Sequence, residues 1–345
     1  MKVLVTGGAG FIGSNFVRHL LNSRKDVQVI NLDKLTYAGN PENLSGCQNG
    51  ERYQFVHGDI SDPSMVETVL GNDVDTLVNF AAETHVDRSI LDSTPFLYAN
   101  VLGTQCLLES ARKNKLNRFV QISSDEVYGA VPPGEFRDET ARLAPSSPYA
   151  ASKAAGDHLV CAYAHTFGMR TVILRSTNNY GPNQFPEKFI PLMIANALGK
   201  KPMPIFGDGA QERDWMHVED FCRAVSAVLE IDGMTGVYNV SANNCRANLN
   251  IAHEIAGLVG TPAASITHVQ DRPGHDRRYA IDSSSFRAAT NWEPKIAFEE
   301  GLRDTVKWYQ AHGAWLDRAR SGEYRRYYER HYVRRAETFA FGNDG

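Results

Sequence analysis

The 345-residue sequence predicts an α/β protein, a doubly wound parallel sheet with a smaller C-terminal α/β lobe. Three observations carry that expectation. Short β-branched runs alternate with longer helical stretches through the first half, and a glycine-rich turn follows the first run directly. After about Tyr180, proline and glycine break the chain into shorter elements. The length agrees, because at roughly 100–200 residues per domain it suffices for two domains or a large core with an added lobe.

The expected strands are Lys2–Thr6, Val27–Leu32, Tyr53–His57, Asp75–Phe80, Arg118–Ile122 and Thr171–Leu174, with connections long enough to return each strand parallel to the last. They read as near-continuous apolar runs, as strands covered on both faces do. Asp62-Pro63, Thr94-Pro95 and Ser147-Pro148 each set a capping oxygen before a proline at the first helical position. Gly181-Pro182, Phe185-Pro186, Lys201-Pro202, Met203-Pro204 and Gly207-Asp208-Gly209 then mark the change of texture. The division expected is residues 1–180 for one domain and 181–345 for a second lobe with its tail. That lobe should hold helices near Glu187–Ala197, Val218–Glu230, Leu249–Leu258 and Glu299–Ala311, and strands near Pro204–Phe206 and Val237–Val240. The Arg- and Tyr-rich tail from Trp315 to Phe339 reads as a solvated face in preference to a partner-facing one.

Composition narrows the function. Lys+Arg 36 against Asp+Glu 40 gives a net charge of −4, with no basic block ahead of the tail, so no nucleic-acid partner is expected. No run approaches roughly 18 apolar residues, and no charged n-region precedes an apolar stretch, so neither a membrane span nor secretion is expected. The five cysteines lack any C-x-x-C pair, which points away from a disulfide framework or a zinc site and towards the cytoplasm.

Thr6-Gly7-Gly8-Ala9-Gly10-Phe11-Ile12-Gly13 lies between a strand and a helix, the context a Rossmann-like dinucleotide turn requires. Gly7 allows the tight turn, Gly10 lets backbone N–H groups approach a pyrophosphate at the helix N-terminus, and Gly13 lets helix and strand pack closely. Asp33 ends the second strand, where its carboxylate can accept from both ribose hydroxyls and repel a 2′-phosphate. NAD is therefore the expected cofactor. Asp59, in His57-Gly58-Asp59-Ile60, is offered to the adenine amino group. A glycine turn plus a surface aspartate is the bland alternative, and the combination of strand, helix and acid argues against it.

Tyr149-Ala150-Ala151-Ser152-Lys153 puts a phenol and an ammonium on one helical face. A tyrosine with an ordinary pKa of about 10 needs positive charge nearby to act as a base near neutrality, and Lys153 supplies it. Such pairs also arise by chance, so the reading depends on the cofactor turn upstream. Together with Ser123-Ser124, these motifs resemble the extended short-chain dehydrogenase/reductase family, which acts largely on nucleotide sugars.

Asp125-Glu126 sits at the C-terminal edge of the sheet, where such folds bind ligands. Oxidising C4 of a hexose acidifies the C5 hydrogen, so Glu126 as base at C5 and Asp125 as acid at the C6 hydroxyl could eliminate water. The alternative is a plain acid pair at a helix N-terminus. The resemblance is to the dTDP-glucose 4,6-dehydratase family nearly end to end. It rests on Asp33–Asn40, Ala81–Ser89, Ser124–Gly129, Asn178–Pro182, Pro186–Lys188, Arg213–Trp215 and Asp271–Asp276.

The resemblance implies a tightly held NAD contacted also by Phe11, Ile12, Lys34, Leu35, Thr36, Ile60, Ala81 and Ala82. It implies Ser124 on the C4 hydroxyl beside Tyr149, and Thr84, His85 and Asp87 near the hexose. Asn178, Glu187, Lys188 and Arg213 follow towards the pyrophosphate, then Pro204, Phe206, Asn248, Arg272 and His275 around the nucleoside. Arg213 and Arg272 could grip phosphate bidentately or form surface ion pairs. Relatives usually carry Thr where Ser124 stands and Tyr where Phe206 stands. A homodimer through helices such as Pro95–Arg112 and Ser147–Gly168 is also implied. The rivals are a UDP-glucose 4,6-dehydratase, a nucleotide-sugar 4-epimerase and a non-catalytic NAD-sensing scaffold.

Overall fold

A computed structural model describes residues 1–338 except 48, 49 and 72. The strands in chain order are β1 (Lys2–Thr6), β2 (Gln28–Asp33), β3 (Tyr53–His57), β4 (Thr76–Asn79), β5 (Arg118–Ser124), β6 (Thr171–Ser176), β7 (Asn178–Tyr180), β8 (Met203–Phe206), β9 (Glu212–His217), β10 (Gly236–Val240), β11 (Cys245–Ala247) and β12 (Ile266–Val269). Seven of them form one parallel sheet in the order β10-β6-β5-β4-β1-β2-β3, the doubly wound arrangement the alternating pattern predicts.

Alternation along β1 shows why its middle, Val3–Val5, is apolar without a break. Val3 and Val5 pack with Phe16, Val17, Phe221 and Val225 on one face, whereas Leu4 packs with Val66, Leu107 and Val160 on the other. The helices Phe11–Ser23 and Val218–Glu230 cover the first face. Pro63–Leu70, Thr104–Lys113 and Pro148–Phe167 cover the second. A separate core of Ile190, Ile194, Trp215, Ile251, Leu302 and Tyr309 holds the second lobe, with β11-β9-β7 and β12-β8 at its edges.

The structure differs from expectation in three places. The chain crosses back after residue 180: the helix Val218–Glu230 packs on Phe11–Ser23, and β10 pairs with β6, so the seventh strand of the main sheet comes from the presumed second lobe. The cap before Pro95 is Ser93 rather than Thr94; the Ser93 side chain makes no cap bond, and the Thr94 amide donates instead to Asp92 Oδ1 at 2.9 Å. The chain then runs through wider i→i+5 winding over Leu97–Gly103 before Thr104–Lys113. The tail is not a solvated face. Tyr324, Tyr327, His331 and Arg335 are buried, because its aromatic rings pack on one another and on Phe185 and Phe206. Phe339 lies outside the described residues.

Candidate active site

The C-terminal ends of β1, β2, β4, β5 and β6 open onto one cavity of about 570 Å³. Its floor is the glycine-rich turn. Gly7 sits at φ +68°, and a Cβ there would lie 2.6 Å from the Ala81 nitrogen; one on Gly13 would collide with the Gly7 carbonyl. Gly10 differs, since its only neighbour in range is the Gly7 carbonyl at 3.3 Å and the rest of the space is cavity that a side chain would fill. The helix Phe11–Ser23 begins here with no side chain on its first amides, and this fits a diphosphate. Asp33 braces the turn, its carboxylate accepting from the Ala9 and Leu35 amides, both at 2.8 Å, while burial raises its pKa. Phe11, Ile12, Lys34, Thr36, Ile60, Ala81 and Ala82 line the same cavity; Leu35 does not. Asp59 is there too, held by Lys34 Nζ at 2.6 Å and by the Ser61 amide at 2.9 Å.

Ser124, Asp125, Glu126, Tyr149 and Lys153 line the opposite wall. The Ser124 hydroxyl caps a 3₁₀ turn, Asp125–Tyr128, by accepting from the Glu126 amide at 3.2 Å. The acid pair therefore does open a short helical element, and it does so facing the cavity. Burial, then the neighbouring Glu126, pushes the Asp125 carboxyl well above the usual range, and its Oδ2 has no hydrogen-bond partner. Ser147 accepts from the Ala150 amide and starts the helix that carries Tyr149 and Lys153. Lys153 donates to the Ile122 carbonyl at 2.6 Å, and burial lowers its ammonium to about 8 against the pull of Asp157. Burial and Glu126 push the Tyr149 phenol up, with a Ser124 hydrogen bond opposing.

Of the implied substrate residues, Thr84, Asn178, Glu187 and Lys188 line this cavity, with Lys188 Nζ donating to the Thr84 carbonyl at 2.7 Å. His85, Asp87, Pro204, Phe206, Arg213, Asn248, Arg272 and His275 do not line it. Neither arginine has a preformed bidentate grip. Arg213 donates to the carbonyls of Glu212 at 2.7 Å and Asp276 at 2.9 Å, and Arg272 donates to Asp87 at 3.3 Å. Polar atoms remain unanswered along this side, namely Asn178 Oδ1, Asn248 Oδ1 and Arg272 Nε, each buried without a partner. His275 meets Asp271 at 2.6 Å and turns its ring edge to Phe206.

Two groups escaped the sequence reading. The Tyr279 hydroxyl lies 2.9 Å from Asp276 and 3.5 Å from Glu126 Oε2, with the Arg213 guanidinium 4.1 Å over its ring. Glu83 lines the cavity, and burial with the charge of Glu187 raises it to about 7. Tyr279 stands just beyond the segment Asp271–Asp276, and Glu83 lies inside Ala81–Ser89, so their positions were in view but no motif assigned them work.

A dinucleotide cradle sharing one cavity with a Tyr/Lys pair and an adjacent Ser-Asp-Glu places the molecule among short-chain dehydrogenase/reductase-type enzymes that dehydrate sugars. Within that class the chain belongs to the family described as GDP-mannose 4,6 dehydratase, whose model matches residues 4–305. It is similar to dTDP-glucose 4,6-dehydratase 1 of Escherichia coli, 46% identical, covering 96% of this chain and 99% of that one. It is also similar to the solved dTDP-glucose 4,6-dehydratase of Streptomyces venezuelae with NAD bound, at 43% identity and TM-score 0.90, covering 92% and 100% of the two chains. The Bacillus anthracis enzyme in complex with NAD gives 44% identity and TM-score 0.87 over 92% and 99%.

Proposed function

We propose that this chain is a dTDP-glucose 4,6-dehydratase that binds NAD and converts dTDP-glucose to dTDP-4-keto-6-deoxyglucose. The observation that carries it is Asp125, a buried carboxyl beside Glu126 in the cavity that also holds Tyr149 and Lys153, with its Oδ2 unpartnered and its pKa raised by burial and by Glu126. An epimerase has no use for such a pair, because it leaves C5 and C6 untouched. The relatives named above support the donor.

Gly7, Gly10, Gly13 and Asp33 would hold NAD along the turn, with Asp59 at the adenine end. Bound there, NAD would supply the hydride acceptor for C4, positive charge beside Tyr149 and, once reduced, the hydride donor for C6. Ser124 orients the C4 hydroxyl, and Tyr149 takes its proton while Lys153 stabilises the phenolate. Glu126 removes the C5 proton, and Asp125 protonates the departing C6 hydroxyl, which leaves as water. Glu126 then returns its proton to C5, and the proton from O4 replaces the one Asp125 gave, so the balance is the loss of one water.

In this proposal residues 1–180, joined by Val218–Glu230 and β10, form the cofactor side, and the remainder forms the sugar-nucleotide side. Arg213, Arg272, Lys188, Glu187 and Asn178 serve the diphosphate, with Thr84, His85 and Asp87 towards the hexose and Pro204, Phe206, Asn248 and His275 towards the nucleoside. Five free thiols and the absence of a membrane-length apolar helix among the described residues support a cytoplasmic location. Exposed Leu97, Tyr98, Leu102 and Phe167 support a homodimer. The deciding experiment offers dTDP-glucose, UDP-glucose and GDP-mannose separately, without added reductant, and reads each product by mass. Loss of one water from dTDP-glucose alone is expected; unchanged mass with all three, or loss from UDP-glucose alone, would overturn the proposal.

A further inference from the structure

The tail segment described as buried above meets the molecule at a particular place. Tyr327 puts its hydroxyl 2.9 Å from His85 Nε2, and His331 stacks on Tyr327 with centroids 4.3 Å apart. Tyr332 stacks on Phe206 at 5.9 Å with the planes 20° apart. Arg335 reaches both sides. It donates to Asp87 Oδ2 at 3.1 Å and to the Gln270 carbonyl at 2.7 Å, and its guanidinium lies 4.0 Å over the Phe206 ring.

These contacts, with the Arg272–Asp87 pair, join elements from the two sides of the molecule. Asp87 belongs to the helix Val86–Leu91, which follows the cofactor strand β4. Phe206 ends β8 and Gln270 follows β12, both in the second lobe. Asp87 is fully buried and also accepts from Arg272 at 3.3 Å, so Arg335 shares a carboxylate with one of the two arginines offered to the diphosphate. A buried charge pair satisfied on both sides is strongly destabilised by losing one partner, and this makes the segment a fixed wall rather than a loose arm.

We propose that the segment is a clasp across the substrate site, from the Asp87 helix on the hexose side to Phe206 on the nucleoside side, with Arg335 a positioning residue that sets the spacing between them. This inference rests on the proposed dTDP-glucose reading and adds a part to its site. Fixing two walls in advance lowers the ordering cost of binding a nucleoside diphosphate, while the proton-moving groups in the main cavity are untouched. The clasp therefore acts on binding and not on chemistry.

The test compares wild type with Arg335→Ala, Arg335→Lys and Tyr332→Ala as NAD-loaded proteins. It measures dTDP binding by calorimetry, KM and kcat with dTDP-glucose, and NAD content. Both alanine variants should raise Kd and KM by about tenfold, roughly the effect of one lost contact of 1.4 kcal/mol. They should keep kcat and NAD content near wild type, and Arg335→Lys should recover most of the binding. Unchanged binding in both alanine variants would overturn the clasp. So would tighter binding, which would make the segment an occupant that nucleotide displaces, and so would parallel loss of kcat and NAD, which marks general damage. A wild type that ignores dTDP and binds UDP would instead overturn the donor reading, and the same variants measured with UDP would then decide the clasp.

Discussion

At Lys153 the burial that suits the reaction works against stability. Lowering an ammonium from an ordinary 10.5 to about 8 corresponds to about 3 kcal/mol of penalty on the charged form. Between those two values the unfolded chain binds the proton that the folded chain has released, so this group's contribution to stability rises with pH across the window and is least favourable below it. Lys153→Met should abolish turnover and yet melt no lower than wild type at pH 7. Its advantage should shrink as the pH rises from about 8 to about 10.5; thermal melts across that range would show it, and a variant less stable at pH 7 would contradict the burial account. Glu126→Gln tests the neighbouring step. Oxidation at C4 needs only Tyr149 and Lys153, so this variant should accumulate bound reduced cofactor, visible as near-ultraviolet absorbance, with water loss slowed by about 10²–10⁴. Wild-type turnover would remove Glu126 from the base role.

The helix Pro148–Phe167 shows what an element adds to its residues. Its start is fixed by Ser147 accepting from the Ala150 amide, and its body places Tyr149 and Lys153 on one side, against the cavity. Ser147→Ala should cost about 1 kcal/mol of stability, the usual value of a lost cap. Because the first turn also holds Tyr149, whose amide donates to Ser89 Oγ at 3.1 Å, kcat should fall with it; a melt lowered without any change in kcat would show that the turn is held by Ser89 alone. This helix was legible in the sequence because cap, proline and paired side chains are local signals. So were the sheet strands, each within a few residues, since burial on both faces leaves an apolar run. The return of Val218–Glu230 and β10 to the main sheet was not legible, because a strand's partner is a tertiary choice that no local pattern encodes. The tail was misread for a related reason. Arg and Tyr together look solvated, but Tyr327 and Arg335 are satisfied by His85, Asp87 and Gln270, more than fifty residues away in the chain.

At the scale of the whole molecule, Leu97, Tyr98, Leu102 and Phe167 stand out, each half exposed or more. Leu97 and Leu102 lie about one turn apart in the wider winding of Leu97–Gly103, and Phe167 ends the catalytic helix. Exposed apolar side chains of this size suit the second copy of the proposed homodimer better than water. Tyr98 adds a functional consequence, since it is 57% exposed and also lines the cofactor cavity. A second copy seated there would fix a wall of the dinucleotide site, so association and NAD retention should be linked. Leu97→Asp with Leu102→Asp places buried charge in the proposed interface and should yield a monomer by sedimentation, one that also loses NAD on dilution faster than wild type. A double variant that stays dimeric, or a monomer that holds NAD as wild type does, would separate the cofactor site from the interface and leave Tyr98 a surface residue of no consequence to binding.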